Sequence, residues 1–180
     1  MFQKSCSLSQ FCFLLRQIYS SIGTNLAAGI RSDDVIYSYL PLYHASGVQV
    51  GLGSALAFGN RTVIKKKFSA SNFFKDCIKY DVTATQYIGE IARFLLATPK
   101  SSEDTAHKVR IMFGNGLKSA IWERFVDRFG IKDIAEFYGA TESNTTTINI
   151  ENKIGSIGFL TVCYPDWLRS KFIPLYIVQV

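Results

Sequence analysis

At 180 residues the chain is long enough for one domain with a real core, and its 48% hydrophobic content argues against disorder. The net charge of +6 is compatible with phosphate ligands, an anionic membrane surface or nucleic acid. The charge is scattered, though: the only basic run is Lys65-Lys66-Lys67, and no basic and aromatic residues interleave as in RNA-binding modules, so no nucleic-acid partner is expected.

In chain order, Met1 to Gln10 is serine-rich and expected to be poorly ordered. Lys4 followed by a short apolar run looks superficially like a signal peptide. Arg16 breaks that run and no small-residue cleavage site follows, so none is expected. No stretch of about 20 apolar residues occurs that could span a bilayer. Phe11, Leu14, Leu15, Ile18, Ile22 and Leu26 recur at helical spacing and predict an amphipathic helix packed on a sheet. A turn at Arg31 to Asp34 leads into a strand over Val35 to Leu40, stopped by Pro41. Val48 to Phe58 is small and apolar with Gly51 and Gly53. It predicts a glycine-weakened helix at a place where backbones come close. Gly59-Asn60 ends it, and Thr62 to Lys65 is a short strand. Ser69 is a candidate cap for a helix whose Phe73, Phe74, Cys77 and Ile78 share a face.

Thr83 to Ile88 reads as a strand, Gly89 to Thr98 as a helix stopped by Pro99, and Lys100 to Lys108 as a polar surface loop. Val109 to Phe113 is a buried-strand pattern halted by Gly114-Asn115-Gly116. From Leu117 to Phe129, Ile121, Trp122, Phe125, Val126 and Phe129 fall on one helical face, and Gly130 sits where a left-handed C-cap belongs. Ile134 to Tyr138 is the next strand. Thr145 to Thr147 is β-prone, Gly155 to Gly158 a turn, and Phe172 to Val180 a last strand. Strands alternating with helices predict an α/β fold, a mostly parallel sheet flanked by helices with right-handed crossovers. Both glycine turns, at 114–116 and 139, then lie on the edge of the sheet where such folds bind ligands.

The residue types on that edge suit a nucleotide triphosphate with its metal. Glycines allow close backbone approach. Tyr138 offers an aromatic face, Thr141 a hydroxyl and Glu142 a hard oxygen ligand for magnesium. By spacing alone the plainer reading comes first: a strand-to-loop exit with a surface glutamate, since the run matches no generic phosphate loop. Likewise His44 alone reads as a structural histidine, Glu90 as a first-turn helix acid, and Glu136 and Asp133 as solvated or capping groups. Lys65 to Lys67 reads as a solvated face. Cys6, Cys12, Cys77 and Cys163 lack metal or redox spacing and read as free thiols. His44 and His107 are too few for a histidine metal site.

Tyr138-Gly139-Ala140-Thr141-Glu142 resembles the Thr-Glu motif of the adenylate-forming superfamily. Leu40-Pro-Leu-Tyr-His-Ala-Ser-Gly47, Lys66-Lys-Phe-Ser-Ala-Ser71 with Phe73 to Tyr80, Gln86-Tyr-Ile-Gly-Glu90 and Gly114-Asn-Gly-Leu117 narrow the resemblance. They resemble its fatty-acid transport protein branch, the very-long-chain acyl-CoA synthetases, over about Ser32 to Phe159. The resemblance implies ATP-dependent formation of an acyl-adenylate and then an acyl-CoA, with ATP, magnesium and coenzyme A as co-substrates and a fatty acid as substrate. It implies that Gly114, Asn115, Gly116, Tyr138, Gly139, Ala140 and Thr141 face the nucleotide. Thr141 would bond the α-phosphate and Glu142 would hold magnesium. His44, in a Pro-x-x-His motif, would line the acyl-carboxylate site, with Tyr87, Gly89, Glu90 and Gly114 beside the acyl channel. Thr141, Glu142 and His44 would be the catalytic set.

Departures from the pattern set further expectations. Residues 1 to 30 contain no Ser/Thr/Gly-rich loop ending in lysine. The ribose-binding aspartate, the hinge arginine region and the lysine-bearing C-terminal lid are not found either. The chain is therefore expected to be one partial AMP-binding domain, an internal piece of a longer enzyme, and inactive alone. The alternative is a non-catalytic lipid- or partner-binding remnant. By resemblance it would associate peripherally with the endoplasmic reticulum, peroxisome or plasma membrane, its site facing the cytosol.

Overall fold

The computed structural model describes residues 11, 15, 18–139 and 146–160, without the side chains of 159 and 160. The elements are α1 (18–27), β1 (Val35–Ser38), a π-helix (Ser46–Leu52) running into α2 (Gly53–Phe58), β2 (Arg61–Ile64), α3 (Phe73–Lys79), β3 (Ala84–Ile88), α4 (Gly89–Ala97), β4 (Ile111–Asn115), α5 (Ser119–Phe129), β5 (Asp133–Tyr138), β6 (Thr147–Asn149) and β7 (Phe159–Leu160). They form a seven-stranded sheet in the order β2-β1-β3-β4-β5-β6-β7. β2, β1, β3, β4 and β5 are parallel. The expected α/β fold with a mostly parallel sheet is the fold observed. The last two strands add antiparallel, with Tyr138 opposite Thr147 and Thr147 opposite Leu160.

The pleat sorts the core. Tyr37, Met112 and Ile134 point to the face covered by α3, α4 and α5, where they meet Phe73, Phe74, Leu95, Trp122, Phe125 and Phe129. Ile36, Ala84, Phe113 and Ala135 point the other way, toward Ile30 and Val50. Burial on both faces explains the apolar run Ile111-Met112-Phe113 of β4. Each fully buried aromatic such as Phe125 contributes on the order of 2–3 kcal/mol by the area it removes from water. α5 matches its prediction: Trp122, Phe125 and Phe129 are buried, and Gly130 ends it with φ 67°. β2 is an outermost strand, with one unpaired side among the described residues.

Four expectations change. α1 forms, but its buried side is turned about 90° from the apolar stripe, at 100° per residue. Ser21, Asn25 and Ala28 are buried while Ile18 and Leu26 are 53% and 60% exposed. The buried face is fixed by fit: a Cβ at Gly53 would overlap the Ser21 hydroxyl, and Asn25 Nδ2 donates to the Ser21 carbonyl at 2.7 Å. Ser69 does not cap a helix through its side chain; a 3-10 turn over Ala70–Asn72 intervenes. Lys65 is not a free solvated cation but pairs with Asp76 at 2.7 Å. Residues 100–108 are not merely a surface loop. Asp104 is buried, closes a capping box with Ser101 and pairs with Arg128 at 2.9 Å. The glycines of the π-helix and α2 do mark close approach, since a Cβ at Gly47 would overlap the Pro41 carbonyl. The predictions for 1–10 and 172–180 lie outside the described residues.

At the N-terminal edge of the sheet, Asp34 is buried and accepts from Arg110, from Thr83 Oγ1 at 2.6 Å and from the Arg31 amide at 2.7 Å. It thereby ties together the starts of β1, β3 and β4.

Candidate functional site

The loops after β1, β3, β4 and β5 all leave the C-terminal edge of the sheet, because these strands are parallel neighbours. Register aligns Tyr87 with Gly114 and Gly114 with Glu136 across β3, β4 and β5. Cross-strand neighbours project to the same face. Gly114, between two large side chains, has none, so the Tyr87 ring lies over it. A Cβ there would press on both the Tyr87 ring and its carbonyl. The Tyr87 hydroxyl crosses that gap and donates to Glu136 Oε2.

Glu136 also receives the Gly116 amide at 2.5 Å on Oε1, and the Leu117 amide at 3.3 Å from each oxygen. It is 2% exposed, not solvated or capping as its sequence position suggests. Burial pushes its carboxyl above the usual range, and the bonds from Tyr87, Gly116 and Leu117 only partly offset this. Burial and the neighbouring carboxylate likewise push the Tyr87 phenol well up. Sequence reading missed Glu136. Its one local signal was an acid inside a strand whose flanking residues, Ile134, Ala135 and Phe137, are apolar. Asp133, by contrast, is exposed as expected.

The turn after β4 is held as closely. Gly116 adopts φ 84°, a region open to glycine, and a Cβ on Gly89 would overlap the Gly116 carbonyl. The start of α4 and the end of β4 therefore pack backbone to backbone. What this edge presents outward is the exposed Asn115, Gly116 and Gly139 and the Tyr138 ring, 57% exposed. An exposed ring and bare glycine backbone on adjacent strands can receive a flat polar heterocycle by stacking and backbone hydrogen bonds.

The other predicted residues divide. Tyr87, Gly89 and Gly114 are brought together with Gly116, but Tyr87 is spent on Glu136. Glu90 is exposed in the first turn of α4 and bonds Arg93 at 2.9 Å, the helix-acid reading. His44 lies in the loop after β1, next to β3 in the sheet, and is exposed. Its Nδ1 accepts the Ser46 amide at 3.2 Å, which puts the proton of the neutral ring on Nε2. The chain then folds back over β3, where Gln86 Nε2 donates to the Ser46 carbonyl at 3.0 Å. Ala140, Thr141 and Glu142 lie outside the described residues. Among the described residues no group of three or more His, Cys, Asp or Glu gathers. The acids of this edge are already committed, Glu136 inward and Glu90 to Arg93, so the described residues do not by themselves make a magnesium site. Two surface hollows lie away from the edge, one of about 380 Å³ beside Trp122 and Lys132, the other of about 190 Å³ beside Arg61 and Tyr80.

The family described as AMP-binding enzyme matches residues 4–165. The human long-chain fatty acid transport protein 1 is 52% identical over 130 residues, 72% of this chain and 20% of that protein. The mouse long-chain fatty acid transport protein 6 is 48% identical over 159 residues, 88% of this chain and 26% of that protein. The chain thus spans a fifth to a quarter of the length of these relatives. In fold it resembles ATP-bound MatB from Rhodopseudomonas palustris, with a TM-score of 0.71, 21% identity, 82% of this chain and 30% of that one.

Proposed function

Since the chain belongs to the AMP-binding enzyme family, we propose that its C-terminal sheet edge is the nucleotide- and acyl-facing wall of a long-chain or very-long-chain fatty acid–CoA ligase. One observation carries the reading: bare glycine backbone, the Asn115 amide and an outward Tyr138 ring sit on adjacent strand ends, and Tyr138 leads directly into Gly139-Ala140-Thr141-Glu142. The identity to long-chain fatty acid transport proteins supports a fatty acid as the acid substrate.

The chemistry is an adenylyl transfer followed by an acyl transfer. A fatty carboxylate oxygen attacks the α-phosphorus of ATP, an O–P bond forms, and pyrophosphate leaves. The thiolate of coenzyme A then attacks the acyl carbon and AMP leaves. The first step brings anion to anion and needs positive charge at the phosphates, which magnesium supplies when bound. In this reading Asn115 and the glycine backbone border the adenine, Tyr138 stacks on it, Thr141 bonds the α-phosphate and Glu142 ligates magnesium. His44 lines the carboxylate end of the acyl site, with Gly89 and Gly114 on the acyl side. The enzyme of which these residues are part would work at a membrane surface. Among the described residues no helix is long and apolar enough to cross one.

Calorimetry with ATP and magnesium on the 180-residue chain and on Glu142→Ala tests the site. Weaker heats for the variant are expected, and equal heats would remove Glu142 from it. No acyl-CoA formation is expected from the chain alone, because residues 1 to 30 hold no lysine-ended phosphate loop. Robust acyl-CoA synthesis would overturn that expectation.

A further inference from the structure

The described edge holds one polar network that the reaction does not use: Tyr87, Glu136 and the amides of Gly116 and Leu117. Amides before a helix are ordinarily free to bind an anion, and a glycine turn leading into a helix is a common phosphate cradle. Here two amides of the turn are already taken: those of Gly116 and Leu117, just ahead of the Lys118 N-cap of α5, both donate to the Glu136 carboxylate. Among the described residues no lysine or arginine is a hydrogen-bond partner of it. The carboxylate is held by a phenol and backbone donors, which are geometrically exacting.

We propose that Glu136, paired with Tyr87, is a positioning residue that holds the Gly114–Asn115–Gly116 turn with its amides inward. The turn then offers a nucleoside the Asn115 side chain and a flat glycine surface, while its Gly116 and Leu117 amides are closed to phosphate. This rests on the nucleotide reading above and deepens it. The base is received at the end of β4. The same arrangement accounts for Gly114, which must lack a side chain for Tyr87 to reach Glu136, and for Gly89, whose backbone braces Gly116.

The test uses the 180-residue chain with adenosine and ATP as probes. It compares wild type with Glu136→Ala, Glu136→Gln and Tyr87→Phe, by calorimetry and by hydrogen exchange at the Gly116 and Leu117 amides. Glu136→Ala should weaken adenosine about tenfold and speed exchange at both amides by a similar factor, relative to Met112 in the same strand. Glu136→Gln keeps an acceptor oxygen of the same shape and should restore both to within about threefold. Tyr87→Phe should fall between. A general loss of stability would speed Met112 as well and would not be rescued at Gly116 alone. Adenosine affinity unchanged in Glu136→Ala, or no rescue by Glu136→Gln, overturns the proposal. If wild type binds neither probe, the nucleotide reading falls. The exchange data then still decide whether Glu136 fixes the turn, and rapid wild-type exchange at Gly116 would overturn that too.

Discussion

Two buried carboxylates sit at opposite ends of the sheet, and their partners differ in kind. Asp34, at the N-terminal edge, faces the Arg110 guanidinium along with Thr83 and the Arg31 amide. Glu136, at the C-terminal edge, faces a phenol and two amides and, among the described residues, no cation. Burial pushes both carboxyls up. At Asp34 the Arg110 and Thr83 bonds win and the value ends below the ordinary range; at Glu136 burial wins and it ends above. One edge is locked by opposite charge, as a structural tie should be. The other keeps an uncompensated acid, a costly arrangement that persists only where the surroundings hold it in place.

The comparison can be broken most sharply at Asp34. Asp34→Ala leaves Arg110 without its carboxylate and frees the starts of β1, β3 and β4. A loss of about 3–5 kcal/mol is expected in denaturant unfolding, and a change under about 1 kcal/mol would deny the tie its role. At the other edge, Gly114→Ala forces the Tyr87 ring off its path. About 1–3 kcal/mol should be lost, together with the slow exchange of the Gly116 amide. Exchange left unchanged would mean that Tyr87 reaches Glu136 by another route.

The two acids should also bend the stability–pH curve in opposite senses. Asp34, its folded value depressed, contributes stability that is whole above 3.8 and is lost as pH falls through the folded value. Glu136, its folded value raised, contributes most below 4.5, and its contribution is lost as pH rises through the folded value. Unfolding free energies measured across acid pH should therefore fall less steeply toward low pH in Asp34→Asn than in wild type. Above pH 4.5 they should decline less in Glu136→Gln. Parallel slopes would refute the assignment. The smallest effect belongs to Glu90→Ala, which removes only an exposed pair with Arg93. A change below about 0.5 kcal/mol and unaltered adenosine binding are expected, and a clear loss of binding would return Glu90 to the site.

How much of this was legible follows from the range of each interaction. α5 could be read from sequence because its apolar face and its Gly130 terminus are local signals. The parallel core could be read from the alternation of strand and helix. The face of α1 could not. Spacing puts Ile18, Ile22 and Leu26 on one stripe, but the buried side was chosen by the close fit of Ser21 to Gly53, 32 positions along the chain. Glu136 was misread for the same reason, since its partner Tyr87 is 49 residues away and no nearby residue announces it. The glycines at 89 and 114 were noticed as motif letters. Their physical cause, one as a brace and the other as a gap for a crossing ring, becomes visible only when the strands are laid in register.

The lysine run takes on a meaning at the outermost strand. β2 has an unpaired flank among the described residues, and an open flank is a template onto which another chain could zip. Arg61 leads the strand, and Lys65, Lys66 and Lys67 follow it directly. A stranger strand laid alongside would have to strip water from Arg61, Lys66 and Lys67, Lys65 being held by Asp76. The run thus acts as a fence against self-association, a role that asks nothing of lipid or nucleotide.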